Sequence, residues 1–298
     1  MKIFYGIDNN NIDVTSICFS NLNYNNIIII PPGDSSRARH FTDPLYGVLK
    51  KIIIFNDDKF TSYEDFYTIK IDISNNTITT IHEDDIINKL ENIHSKLNIN
   101  YGTFKDEFPE QKMITRYLTG NEKVLEIGGN IGRASLIIAS ILENNDNFVT
   151  LECDVDIANK LTENRDLNNF KFHIENSALS NRKLIQLVWD TIPSDTLFDG
   201  YTWVKTISLN ELKAKYNIEF DTLVLDCEGA FYYILMDMPE ILNNINLIIM
   251  ENDYHNISHK QYIDEVLTKN NFSISYQESG GWWPCFMNFF EVWRKKTI

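Results

Sequence analysis

The sequence has few cysteines, and their spacing excludes most of the chemistry that paired cysteines support. Four occur in 298 residues, at Cys18, Cys153, Cys227 and Cys285. No two of them form a CxxC pair or a zinc-finger spacing, so neither a structural zinc site nor a dithiol redox motif is predicted. We expect reduced, mostly buried thiols in a reducing compartment.

Long hydrophobic runs and an excess of positive charge are also missing. No apolar run approaches the ~20 residues of a membrane span, and the start "MKIFYGIDNNN" lacks the apolar core of a secretory signal. The chain has 27 Lys and Arg residues against 42 Asp and Glu residues, a formal net charge of -15. This balance disfavours nucleic acids and anionic lipid surfaces as partners. We therefore expect a cytoplasmic protein with no membrane span and no nucleic-acid partner.

The chain divides near residue 100, where the spacing of apolar residues changes. Residues 1 to about 82 alternate short β-type runs with polar turns, among them "KIFYGI", "IDVTSICF" and "KKIIIFND". The segment "EDDIINKLENIHSKLNI" then has the apolar spacing of a helix. These patterns predict a β-rich N-terminal domain with a connecting helix over residues 1–100.

The remainder, residues 101–298, has the pattern of an α/β domain. Short apolar strands such as "KVLEIG", "NFVTLEC" and "DTLVLD" alternate with helical segments. This alternation predicts a mostly parallel sheet covered by helices on both faces. The end differs, because "FSISYQES" and "CFMNFFEVWRK" have no helix between them. We predict an antiparallel hairpin at the sheet edge there.

A glycine-rich turn joins the first strand of this domain to an apolar helix in "KVLEIGGNIGRASLIIASIL". A dinucleotide fingerprint that began at Gly128 would need glycine at positions 130 and 133, where the chain has Asn130 and Arg133. The pattern present is Glu126-x-Gly128-x-Asn130-x-Gly132. An acid at the end of this strand would meet an ammonium group of a ligand.

A second acid, Glu152, ends the next strand. It follows Gly132 by about 20 residues, the position at which an acid binds ribose hydroxyls in related sheets. An amino-acid head group together with a ribose indicates S-adenosylmethionine as the ligand.

The motifs "VLEIGGNIG", "ENSALS" and "DTLVLDCEGA" resemble, in order and spacing, those of the FkbM family of class I S-adenosylmethionine-dependent methyltransferases. The resemblance covers roughly residues 105–295. It implies a Rossmann-like seven-stranded sheet, mostly parallel, with a C-terminal antiparallel hairpin. It also implies O-methylation of sugars or polyketide-type products. Two positions depart from the family. Its Asp-x-Glu-Gly-Ala-Glu motif ends in a glutamate where this chain has Phe231, and the lysine that often stands two residues before the motif is Val224 here.

The motifs and the resemblance together give one set of candidate cofactor-binding residues at the ends of the first four strands. They are Glu126, Gly128, Gly129, Asn130, Gly132, Glu152, Cys153, Asn176, Ser177, Ala178 and Asp226. The N-terminal segment also resembles modules fused to glycan-modifying enzymes of large DNA viruses. A viral source would place the protein in the host cytoplasm.

Methylation of a hydroxyl needs a base within hydrogen-bond reach of the acceptor. The ends of the fourth and fifth strands, beside the glycine turn, hold the candidates. His255 is the preferred base because its unperturbed pKa is ~6.5, and Asp253 is the alternative. Asp226 is expected to be essential because it follows a buried strand and would lie next to both the cofactor and the acceptor.

Other interpretations stay open at this point. Asp226, Glu251 and Asn252 would suit Mg²⁺, as in metal-dependent catechol-type methyltransferases, although no metal is our first choice. A cofactor-binding or structural protein without catalysis is the other alternative.

The expected acceptor is a sugar, a nucleotide sugar or a glycan, with aromatic residues at the mouth of the site. These aromatic residues are Trp189, Trp282, Trp283 and Phe286. Residues 1–100 are expected to bind the acceptor or to form a homodimer.

Overall fold

The structure, a computed structural model, describes residues 1–24, 26–188 and 190–296. Its first part contains eight strands: β1 (Lys2–Ile7), β2 (Asn10–Asp13), β3 (Asn23–Tyr24), β4 (Ile27–Ile30), β5 (Lys51–Asn56), β6 (Lys59–Tyr63), β7 (Tyr67–Asp72) and β8 (Thr77–His82). They form two antiparallel sheets with the orders β2-β1-β5-β6 and β3-β4-β7-β8. Both sheets contribute to one apolar cluster that includes Ile3, Ile28, Ile52 and Ile69.

Three helices accompany these sheets: α1 (Thr15–Asn21), α2 (Asp34–Phe41) and α3 (Glu83–His94). The interpretation of "IDVTSICF" as a strand is wrong from Thr15 onward. A helix there places Cys18 and Leu22, four residues apart, on one face in the apolar cluster. The connecting helix is confirmed as α3, which buries Ile86 and Leu90.

The second part contains a seven-stranded sheet with helices between its strands. Its elements are α4 (Phe108–Tyr117), β9 (Val124–Ile127), α5 (Arg133–Ile141), β10 (Phe148–Leu151), α6 (Val155–Leu167), β11 (His173–Glu175), β12 (Ala178–Leu179), β13 (Leu184–Leu187), β14 (Asp190–Pro193), β15 (Thr202–Val204), β16 (Thr206–Ile207), α7 (Leu209–Tyr216), β17 (Thr222–Leu225), α8 (Ala230–Asp237), β18 (Leu247–Glu251), α9 (Ile257–Lys269), β19 (Phe272–Glu278) and β20 (Phe290–Lys295). The strand order is β11-β10-β9-β17-β18-β20-β19. The first five strands in this order are parallel, whereas β20 is antiparallel to both of its neighbours. The predicted Rossmann-like sheet with its C-terminal hairpin is confirmed.

The central strands β9, β10 and β17 are buried along their whole length. Parallel strands between two helical layers have no solvent-facing side, which explains their continuous apolar runs. A small sheet of order β14-β13-β15 is inserted between β11 and β17, and the sequence analysis missed it. Among the described residues, no helix is long and apolar enough to cross a membrane.

The two parts pack against each other through polar contacts beside β19 and α4. The Tyr24 hydroxyl lies 3.1 Å from Ser273 Oγ, and Arg116 donates to Thr68 Oγ1 at 3.4 Å. Arg116 also pairs with Glu83 at the start of α3. These contacts fix the face that the first part presents to the seven-stranded sheet.

Candidate active site

The glycine turn connects β9 to α5 across residues 128–132. Gly128 has a φ of 93°, and a Cβ there would lie 1.6 Å from the carbonyl oxygen of Asp226. Gly132 has a φ of 95°, and its Cβ would lie 2.5 Å from a methyl carbon of Leu161. A Cβ atom at either position would collide with neighbouring atoms of the chain, so the close packing of the turn explains why both residues are glycine. The glycines alone do not indicate a ligand.

Glu152 follows β10 directly and supports the turn through both carboxylate oxygens. Its Oε2 accepts the Asn130 backbone N–H at 2.9 Å, and its Oε1 accepts the Asp154 backbone N–H at 2.8 Å. Burial raises the pKa of Glu152, and the two backbone hydrogen bonds oppose that shift. Each oxygen retains a lone pair for a hydroxyl donor.

A cavity lies beside this turn at the carboxyl ends of β9, β10 and β17. Its walls include side chains or backbone of residues that follow these strands, with part of the inserted sheet opposite: Gly128, Asn130, Glu152, Cys153, Ser177, Ala178, Gln186, Thr191, Asp226 and Glu228. Its enclosed volume is about 170 Å³. Ligand pockets typically measure ~300–1,000 Å³, so a nucleoside-sized ligand would extend into the open mouth.

Seven of the eleven predicted cofactor residues thus line one cavity, and four do not. Gly129 and Gly132 face the protein, as the packing of the turn requires. Asn176 donates from its amide to the backbone oxygens of Glu152 and Cys153, at 2.9 and 3.3 Å. It positions the cavity wall rather than forming it.

Glu126 is buried beneath the turn rather than exposed at the strand end. It is the penultimate residue of β9 and is 1 % exposed. Ser135 on α5 donates to its Oε2, while its buried Oε1 has no hydrogen-bond partner among the described residues. Burial raises the pKa of Glu126 to about 8.

Two acids that the sequence analysis missed face Asp226. Glu107 precedes α4, and Glu110 lies in its first turn. Carboxylate oxygens of Glu107, Glu110 and Asp226 all lie within 4.8 Å of one another. The sequence indicated these acids only through the segment "EFPEQ" at a helix start. Acids are common there because their negative charge interacts favourably with the helix dipole.

These carboxylates are held in an environment that disfavours their charge. Burial, followed by the nearby Glu107, Asp253 and Glu152, raises the pKa of Asp226 to about 7. Glu110 is 2 % exposed, and burial raises its pKa well above the usual range. Its Oε2 has no hydrogen-bond partner in the described chain. Glu107 is paired with Arg133 at 2.5 Å, whereas the desolvated carboxylates of Asp226 and Glu110 would be stabilised by a nearby positive charge.

The end of β18 holds the predicted base candidates in different environments. Asp253 is 5 % exposed, and its Oδ1 has no partner among the described residues. Glu228 lines the cavity, and burial together with a hydrogen bond to Asp253 raises its pKa to about 8. His255 is exposed and does not line the cavity. This placement favours Asp226 or Glu228 over His255 as the group nearest a bound acceptor.

The alternative metal ligands Asp226, Glu251 and Asn252 stay a prediction, and the buried Asn252 Oδ1 has no partner among the described residues. The Asn252 amide nitrogen donates to the Asn288 backbone oxygen at 2.6 Å. Burial, followed by the charge of Asp226, raises the pKa of Glu251 to about 9. A further group of carboxylates around Asp226 consists of Glu107 and Glu110.

An aromatic loop before β20 is attached to the end of β18. The Asn252 backbone N–H donates to the Phe289 oxygen at 2.7 Å. On this loop Trp282, Trp283 and Phe286 are 48, 73 and 38 % exposed, and the rings of Trp283 and Phe286 stack at 6.2 Å. The predicted aromatic residue Trp189 lies outside the described residues.

No protein-family model and no curated protein sequence matches the chain. Among solved structures, it is similar to ribosomal protein L11 methylase from Lactobacillus delbrueckii subsp. bulgaricus, with 12 % identity and a TM-score of 0.42 over 67 % of this chain and 84 % of that one. It is also similar to an O-methyltransferase from Bacillus cereus in complex with SAH, with 13 % identity and a TM-score of 0.39 over 71 % of this chain and 87 % of that one. At this level of similarity, neither structure identifies the cofactor or acceptor of this chain.

Proposed function

We propose that the chain is an S-adenosylmethionine-dependent methyltransferase whose cofactor lies in the cavity beside the glycine turn. The buried carboxylates around Asp226 carry this proposal. S-adenosylmethionine has a sulfonium and an ammonium group, so it complements Asp226 in the cavity lining and the negative charge of Glu107 and Glu110 next to Asp226. A dinucleotide would bring a negatively charged diphosphate to the same place and be repelled.

The residues present fit this cofactor at both of its ends. Glu152 keeps lone pairs for ribose hydroxyls, while Ser177 and Ala178 offer a small-residue wall for adenine. Asp226, which lines the cavity, lies where positive charge would be neutralised. When bound, the cofactor supplies an electrophilic methyl group for in-line displacement.

The proposed acceptor is a hydroxyl of a sugar, nucleotide sugar or glycan. The resemblance to FkbM enzymes and the exposed aromatic loop support it, because aromatic faces pack well against the apolar faces of sugars. Asp226 or Glu228 would take the hydroxyl proton, since both line the cavity and have pKa values raised to about 7 and about 8.

The roles of the two regions are part of the proposal. Residues 101–298 would carry catalysis, and residues 1–100 would bind the acceptor or form a homodimer. A cytoplasmic location, in a host cell if the source is viral, is also proposed. The separate apolar cluster of the first part supports an independent unit. Sedimentation of the full chain tests the homodimer.

Mg²⁺-dependent methyl transfer is a second candidate. Its support is the group Glu107, Glu110 and Asp226, in which Glu110 Oε2 is buried and unpartnered among the described residues. Metal dependence predicts loss of methyl transfer with EDTA and recovery with Mg²⁺. Full turnover in EDTA would exclude it.

Calorimetry with S-adenosylmethionine, SAH and NAD⁺ tests the proposed function. We expect the first two to bind and NAD⁺ not to bind. Glu152→Ala should cost about 1.5–3 kcal/mol of cofactor affinity. Glu265→Gln, an exposed charge change on α9, serves as control.

Wild-type affinity in Glu152→Ala, or binding of NAD⁺ alone, would contradict the cofactor assignment. A screen of nucleotide sugars and short glycans for methyl transfer separates an enzyme from a protein that only binds the cofactor. Cofactor binding without turnover on any acceptor would favour the non-catalytic interpretation.

A further inference from the structure

A second cavity lies at the amino ends of the strands of the seven-stranded sheet, opposite the first cavity, and it faces β4 and β7. Its volume is about 550 Å³, within the ~300–1,000 Å³ typical of small-molecule sites. Thr222 and Leu247, the first residues of β17 and β18, line one side, while Ile29 and Lys70 line the other. The proposed methyl transfer makes no use of this cavity, because its cofactor lies at the carboxyl ends of the same strands.

The charge of this cavity is opposite to that of the whole chain. Its described lining includes two acidic side chains, Glu122 and Asp221, and five basic ones: Lys70, Arg116, Arg294, Lys295 and Lys296. A chain with a formal net charge of -15 has few cations to spare. Their concentration around one cavity therefore calls for a physical explanation.

The two acids form no ion pair with these cations among the described residues, and their carboxylates accept backbone N–H groups. The Glu122 carboxylate accepts the backbone N–H groups of Thr119 and Gly120, both at 2.8 Å. Asp221 Oδ1 accepts the Lys123 backbone N–H at 3.0 Å. Their role is to close the turns that precede β9 and β17.

The side chains of Lys70 and Arg294 form no hydrogen bond or ion pair among the described residues, whereas Lys295 and Lys296 donate to acceptors of the protein. The Arg294 guanidinium lies 5.7 Å from the ring centre of Tyr24 and 5.3 Å from that of Tyr117. It makes no hydrogen bond or ion pair with residues 1–24, 26–188 or 190–296. A guanidinium held on ring faces keeps its N–H edge available for a bidentate acceptor.

Arg116 also lines the cavity, but its contacts are with the protein. Its side chain is 2 % exposed, and it pairs with Glu83 through Nη2. Its buried Nε nevertheless has no hydrogen-bond partner in the described part of the chain. A buried donor left unpaired costs about 1–3 kcal/mol, but this nitrogen is buried within the protein, so a ligand in the cavity does not reach it.

We propose that this cavity binds a small molecule that carries a phosphate or diphosphate group and has the size of a sugar phosphate or nucleotide. Phosphate oxygens accept bidentate hydrogen bonds from arginine and charge-assisted bonds from lysine. The isoleucines Ile27, Ile29 and Ile81 give the rest of the ligand an apolar wall. Because both parts of the chain contribute walls, the ligand would also hold them together.

Calorimetry at low ionic strength with inorganic pyrophosphate, uridine diphosphate and uridine tests this site. The phosphorylated probes should bind and uridine should not. Arg294→Gln should weaken both phosphorylated probes at least about tenfold. The control Arg39→Gln, which removes the same charge from an exposed arginine of α2, should bind like the wild type.

Lys70→Gln provides a second variant on the opposite wall, at an exposed position where folding is not at risk. It should weaken the same probes several-fold. The proposal is overturned if the folded wild type binds neither phosphorylated probe, or if both variants bind them as the wild type does. Equal affinity for uridine and uridine diphosphate would also overturn it.

Discussion

The two cavities lie at opposite ends of the strands of one sheet, and the first has a mainly acidic lining whereas the second has a mainly basic one. Helix α4 runs between the two cavities. Glu110 in the first turn of α4 lies near Asp226, at the carboxyl ends of the strands. Arg116 in the last turn lines the cavity at their amino ends. A ten-residue helix is about 15 Å long, so the two environments are close but separate.

Charge sign alone does not identify either site. An acid in the first turn and a base in the last both favour the helix dipole, and a helix without any ligand would show the same pattern. The informative observation is the lining of each cavity, which includes Asp226 and Glu228 in the first and Lys70 and Arg294 in the second. Ligands of opposite charge would match these two linings.

The strongest test of the acidic cavity is Asp226→Asn, which keeps the shape and removes the charge. We expect methyl transfer to fall by about 10²–10⁴-fold if Asp226 acts as base. His255→Ala is the matched comparison, because His255 is exposed and outside the cavity lining. It should turn over within about twofold of the wild type. Initial rates at saturating cofactor measure both.

The opposite result, with a large loss in His255→Ala and little loss in Asp226→Asn, would return the base role to His255. Loss in neither variant points to Glu228, which Glu228→Gln would then examine. The second outcome keeps the base in the cavity, whereas the first places it outside the lining, and full activity in all three variants would remove catalysis from this site.

The sequence was informative where local patterns decide the structure. Parallel strands have continuous apolar runs, so the residues just after them, such as Glu152, Ser177 and Asp226, could be placed at one sheet edge. The orientation of Glu126 could not be predicted, because a strand buried on both faces has no alternating pattern to distinguish them.

The missed features depend on contacts between distant segments. Glu107 and Glu110 meet Asp226 across more than a hundred residues of sequence, and no periodicity indicates that distance. The second cavity combines side chains of β7, α4 and β20, which become neighbours only in the folded chain. α1 was missed because its β-branched residues favour strands locally, while the burial of Cys18 and Leu22 favours a helix.

The pH dependence of cofactor binding should sharpen the contrast between the cavities. Burial raises the pKa values of Asp226, Glu126 and Glu228 to about 7, 8 and 8. These carboxyl groups have a pKa near ~4 in the unfolded chain. At pH values between that and the raised values, the folded state binds more protons than the unfolded state, so the stability of the ligand-free protein falls as pH rises. A cationic ligand favours the ionised carboxylates, and its affinity should therefore rise from pH 6 to 8.5.

The expected slope is up to about tenfold per pH unit for each proton released on binding. SAH is the matched control, because it lacks the sulfonium charge and should show a smaller slope. Calorimetry in buffers of different ionisation enthalpy counts the protons. Equal slopes for both ligands would mean that the carboxylates do not contact the sulfonium. Uridine diphosphate, if it binds in the basic cavity, should not follow this dependence.

The smallest effect is expected for the stability of ligand-free Arg294→Gln. Arg294 contacts two tyrosine rings, and cation–π contacts contribute about 0.5–1 kcal/mol each at exposed sites. Its removal also relieves repulsion from Lys295 and Lys296 nearby, so the net loss should stay below about 1 kcal/mol. Urea unfolding at low and high salt measures it, and salt should stabilise the wild type more than the variant because it screens that repulsion. A loss above about 3 kcal/mol would identify Arg294 as a structural residue of the packing between the two parts, and the basic cavity would then need no ligand to explain its charge.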